Sequence, residues 1–114
     1  MREFYEQSGY VMDPHTAIAY KVMKDYEKED AMHKCVLLST ASPYKFAPAV
    51  YEALFKETDL DEFACMEKLQ QKSGAAMPKP LAELAKMEVL HNHLIDKNAM
   101  STFVETIGEE MFHD

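Results

Sequence analysis

The side chains with chemical potential fall into a few short constellations. Ser42-Pro43-Tyr44-Lys45 has the S-x-x-K spacing in which a lysine can activate a serine nucleophile. The motifs that complete such a site, Ser-Asp-Asn and Lys-Thr-Gly, are absent, so the stretch reads as a loop following a strand. His91-Asn92-His93 would place two imidazoles on one face of an extended segment, and a metal there would need a third ligand from Glu88 or Asp96. Neither C-x-x-C nor H-E-x-x-H spacing is present, so these histidines read as surface or turn residues and no metal site is assigned. Cys35 and Cys65 stand apart in apolar surroundings and read as small core hydrophobes. Gly9, Gly74 and Gly108 are too scattered to form a phosphate-cradling loop. Ser39 and Thr40 carry more. They close an apolar run, the place where open α/β sheets bind ligands. A hydroxyl there can donate to or accept from a ring nitrogen without adding charge. The other reading of the pair is a polar strand end that caps the following turn.

Helices and one strand must position these groups. Met1 to Met12 holds Phe4, Tyr5 and Tyr10 without a sustained period and predicts an extended or irregular lead-in. Asp13-Pro14 is a helix start, because Asp can accept from free amides and Pro is pre-shaped for the first helical position. Over 15–28, Ala19, Val22, Met23 and Tyr26 recur at spacings of three and four, predicting one buried face. Residues 33–40 are apolar in the middle without alternation, as in a parallel strand covered on both faces. Pro43 ends that run. A helix over 47–56 follows, with Phe46, Val50 and Leu54 inward, then one over 60–72 capped by Thr58 or Asp59 and stopped at Gly74. Residues 75–80 read as a connector, Pro80 as the start of a short helix to 86, and 91–95 as undecided. Asp96 or Asn98 opens a last helix to 112, with Phe103, Ile107 and Met111 on one side.

The predicted fold class is therefore α/β: a mostly helical segment, 1–114 undivided, with one core parallel strand near 34–40. A lone strand cannot satisfy its own backbone amides and carbonyls. It requires a neighbour, either another copy of the chain or the rest of a larger α/β protein, and the sequence reads as incomplete.

Composition narrows the function classes. With 114 residues and a formal net charge of −8, the chain lacks the clustered Lys and Arg that nucleic-acid backbones require. Its longest uncharged apolar run, Cys35 to Leu38, is far too short to cross a bilayer. The opening residues carry Glu3 and Glu6 and no apolar core of a secretory signal. Two cysteines in that setting point to a reducing, cytoplasmic location with both thiols free.

Two stretches together resemble the C-terminal part of threonine synthase. They are Asp13-Pro14-His15-Thr16-Ala17 with Ala19-Tyr20, and Val36-Leu37-Leu38-Ser39-Thr40-Ala41-Ser42-Pro43-Tyr44-Lys45-Phe46. The family pattern is D-P-H-T-A before a helix, then L-S/G-T-A-H/S-P-A/Y-K-F after a strand. The resemblance covers residues 10–50, and the rest agrees as a helix-rich tail. It implies a pyridoxal-phosphate enzyme of the tryptophan-synthase-like fold that converts O-phosphohomoserine and water to threonine and phosphate. It implies that Thr40, and after it Ser39, lie beside the cofactor's pyridine nitrogen, with Asp13, His15 and Lys45 in supporting roles. The family's Schiff-base lysine lies in an S-F-K-D-like segment, and no lysine here has that context. The cofactor-phosphate loop is also missing, so no catalytic residue is assigned and the chain alone is expected to be inactive. Its expected partners are the N-terminal remainder of the enzyme and a small-molecule substrate. A reading from another class is a stand-alone helical module that dimerises through its lone strand. A weaker one is a metal-binding protein using His91 and His93.

Overall fold

A computed structural model describes residues 1–112. Its elements are α1 (Arg2–Ser8), α2 (Pro14–Glu29), a 3-10 turn (Pro43–Phe46), α3 (Ala47–Phe55), α4 (Glu62–Ser73), α5 (Lys79–Leu84), a second 3-10 turn (Lys97–Ala99) and α6 (Met100–Phe112). The chain is mostly helical, and among the described residues there is no strand.

The core is built where α3 crosses α4. Ala47, Val50, Tyr51 and Leu54 of α3 meet Cys65, Met66 and Leu69 of α4, with Tyr44 and Val11 closing the sides. Both phenols in this core are satisfied: Tyr44 donates to the Ala75 carbonyl at 2.5 Å and Tyr51 to Glu57 at 2.6 Å. Such bonds are required, because a buried hydroxyl without a partner costs about 1–3 kcal/mol. Asp61 caps α4, accepting from the Phe63 and Ala64 amides at 3.0 Å each. The expected caps, Thr58 and Asp59, lie just outside; Asp59 instead takes a left-handed turn at φ 67°. Gly74 ends α4 at φ 70°, as predicted.

Four expectations need correction. The lead-in is helical: Arg2 pairs with Glu6 at 2.9 Å and Gly9 stops α1 at φ 71°. Seven residues are too few to display a 3.6-residue period, so the pattern was hidden. The α2 stripe is not buried either. Val22 is 64% exposed and Tyr26 48%, while Ala19 and Met23 are half-buried. The segment 34–40 has no ladder: Val36 is 88% exposed, Leu38 77%, and no backbone group from 35 to 40 finds a hydrogen-bond partner among the described residues. A strand needs an adjacent strand, and the described residues provide none. Cys35 is consequently exposed rather than packed, while Cys65 is buried as expected.

From Leu84, the last residue of α5, the chain runs out as an arm. Leu84, Met87, Val89, Leu90 and Leu94 are all exposed, and α6 meets chiefly the 3-10 turn before it, which Asp96 caps. Phe103 and Ile107 are half-buried; the Met111 side chain lies outside the described residues. The radius of gyration is 19.8 Å, against about 13 Å for a compact chain of ~100 residues.

Candidate functional site

The two motifs that are far apart in sequence meet at the start of α2. Asp13 is the N-cap: its Oδ1 accepts from the His15 amide at 2.9 Å and the Thr16 amide at 3.3 Å, and Pro14 fills the first helical position. The remaining Asp13 oxygen, Oδ2, accepts a very short bond from the Thr16 hydroxyl. The His15 ring adds a contact through Nδ1, 3.1 Å from Oδ1. Asp13 is only 1% exposed. Burial pushes its carboxyl up, but the Thr16 hydroxyl, the Thr16 and His15 amides and the His15 ring outweigh this and hold it below the ordinary carboxylate range.

Ser39 is tied to this cap from the second motif. Its Oγ lies 3.2 Å from Thr16 Oγ1 and accepts from the Tyr10 hydroxyl at 3.3 Å. Further along the same motif, the Phe46 ring sits 5.0 Å from the His15 ring in an edge-on arrangement. Ser42 caps the 3-10 turn by accepting from the Tyr44 amide at 3.3 Å, which sends Tyr44 into the core and anchors the motif's end. Thr40, between these two anchors, is exposed and its hydroxyl has no partner among the described residues. Lys45 is exposed on the 3-10 turn and joins no ion pair among the described residues.

The structure thus brings Asp13, His15 and Ser39 into one cluster, with Thr40 adjoining and Lys45 outside it. Sequence reasoning missed Thr16 and Tyr10 as members. Thr16 could have been found, since the third residue after a cap is well placed to reach back to it. Tyr10 gives no local signal, because its partner lies 29 positions away. His91 and His93 are exposed, with His93 against Phe103 at 5.2 Å. Among the described residues no group of three or more His, Cys, Asp or Glu could hold a metal ion. No helix of the described chain is long and apolar enough to cross a membrane.

"Threonine synthase-like 1" of Homo sapiens is 32% identical over 114 residues, covering 95% of this chain and 15% of that protein. The Mus musculus protein of that name is 40% identical over 77 residues, covering 67% of this chain and 10% of its own length. "Threonine synthase" of Serratia marcescens is 33% identical over 86 residues, covering 75% of this chain and 19% of the bacterial protein. The chain therefore spans less than a fifth of the length of each of these relatives. No solved structure matches it. The model of the family described as "Threonine synthase, C-terminal" matches residues 16–104, and the chain belongs to that family.

Proposed function

We propose that this chain forms one wall of a threonine synthase site, with Thr40 and Ser39 on the pyridine-nitrogen side of pyridoxal phosphate. The observation that carries the reading is the junction of the two family motifs, Thr16 to Ser39 at 3.2 Å and His15 to Phe46 at 5.0 Å. It leaves Thr40 exposed between two fixed points. The donor set fits one edge of the cofactor. Two neutral hydroxyls are offered there, while both Asp13 oxygens are already engaged by Thr16 and His15. When bound, the cofactor supplies an electron sink for charge withdrawn from the substrate, and a neutral partner at its nitrogen does not force full protonation. The residues do not fit its other edges: Gly9 and Gly74 are lone helix caps, and neither Lys34 nor Lys45, the lysines flanking Thr40, stands in an S-F-K-D-like context. This chain's residues would therefore orient the ring and exclude other partners from its nitrogen. They would not hold the cofactor covalently.

In the same reading the reaction is the conversion of O-phosphohomoserine and water to threonine and phosphate, in the cytoplasm, and the purified chain alone gives no turnover. Segment 34–40 becomes a core parallel strand when the amino-terminal part of the enzyme lies beside it, consistent with its exposed Val36 and Leu38. The test is a chimera in which this chain replaces the aligned segment of the Serratia marcescens threonine synthase. Threonine formation should be retained, and Thr40→Val should lower it about 10- to 100-fold, the value of one hydrogen bond to a charged or strongly polar group. A folded chimera that makes no threonine, or one indifferent to Thr40→Val, overturns the reading. Threonine formation by the purified chain alone would overturn the one-wall part of it.

A further inference from the structure

A row of hydroxyls runs from the surface to the buried carboxylate: Tyr10, Ser39, Thr16, Asp13. Each hydroxyl has one proton to give, and an ionised carboxylate can only accept. Thr16 therefore spends its proton on Asp13 Oδ2. The 3.2 Å contact between the Thr16 and Ser39 oxygens must then be made with the proton of Ser39, directed inward. The Tyr10 hydroxyl donates to the Ser39 oxygen from the other side, at 3.3 Å. The direction of the whole row follows from the one member that cannot donate.

We propose that Asp13, Thr16 and Tyr10 are positioning residues that lock the Ser39 hydroxyl with its proton turned inward, leaving Thr40 as the hydroxyl able to donate to a ring nitrogen. This rests on the reading that the Ser39–Thr40 edge faces the cofactor, and it separates the two residues by role. Ser39 fixes the backbone and keeps a single lone pair for an outside donor. Thr40, with no partner among the described residues, can donate or accept. A Thr16→Val change breaks the row at its middle, and Thr16→Ser keeps it.

The row makes Ser39 sensitive to the charge on Asp13, 26 positions earlier in sequence and joined to it through the Thr16 hydroxyl. The titratable groups facing the cluster are Asp13, His15 and Tyr10. An NMR titration of the full 114-residue chain needs no cofactor. It follows the Asp13 carboxyl carbon, the His15 ring, and the amides of Ser39, Thr40 and Leu69. The expected result is that Ser39 and Thr40 shift with the midpoint of Asp13 while core Leu69 stays still. That shift should disappear in Thr16→Val and persist in Thr16→Ser. Flat Ser39 and Thr40 signals, signals that follow His15, or movement only together with Leu69 as the core unfolds would overturn the proposal. Should Thr16→Val fail to fold, the wild-type and Thr16→Ser titrations decide. Because no cofactor is involved, failure here leaves the family-level reading standing, whereas an inactive chimera with this coupling intact would remove that reading alone.

Discussion

Asp13 holds α2 and the second motif at once, so its ionisation should be visible in stability. Its folded pKa lies below the unfolded value near 3.8. A depressed carboxylate contributes stability that is fully present above the unfolded pKa and is lost as pH falls through the folded one. Thermal melts should therefore show an acid limb beginning near pH 4 that is shallower in Asp13→Ala, where the other depressed carboxylates still contribute. At neutral pH the same change should cost about 1–2 kcal/mol through loss of the cap. An unaltered melting temperature at both pH values would contradict the packing described at this cap. Tyr51 offers a second residue-scale check. Its hydroxyl donates to Glu57, which also receives Lys72, and the Lys72 ammonium lies 5.2 Å from the Tyr51 ring centre. Lys72 and then Tyr51 hold the Glu57 carboxyl below its usual range. Tyr51→Phe should move Glu57 back toward that range in a carboxyl-carbon titration.

Among the elements, α3 and α4 carry stability and segment 34–40 does not. Leu69→Ala should cost about 2–5 kcal/mol, since the side chain is fully buried. Val36→Ser, at an exposed position, should stay within about 0.5 kcal/mol in the chain alone. Denaturant titrations of the two variants check both, and comparable losses would mean that 34–40 is packed after all. Gly74→Ala should cost about 1 kcal/mol from backbone alone, because an added methyl meets nothing within 4 Å at φ 70°. The helices around this core were legible from local rules: the Asp13-Pro14 start, the Val50 and Leu54 positions and the Gly74 stop all depend on neighbours within a turn. The inward face of α2 and the burial of Cys35 were not, because apolar spacing says that a face wants cover without saying where the cover lies. No strand forms over 34–40 among the described residues for the same reason: the pattern is intact and no described segment pairs with it. The candidate cluster was half legible: the motifs named Ser39 and Asp13, but only tertiary structure joined them through Thr16 and added Tyr10 on the outer side of Ser39.

At the scale of the whole molecule, the 61 × 34 × 24 Å extents describe a small core with a long arm after α5. Small-angle scattering should return a radius of gyration near 19.8 Å; a value near the ~13 Å of a compact chain would mean that the arm folds back. Limited proteolysis should cut between α5 and α6 and leave the α3–α4 core resistant, as exposed connections with few packed side chains are cut first. The bare segment 34–40 also has a consequence in time. The core residues from Tyr44 to Leu69 are near neighbours in sequence, and such local topologies close within microseconds to milliseconds. Val36 and Leu38 stay uncovered after that core has closed. Such an uncovered apolar ribbon invites edge-to-edge association with its own kind. Lys34 at one end and Pro43 beyond the other are residue types that blunt such association, one by charge and one by lacking an amide proton.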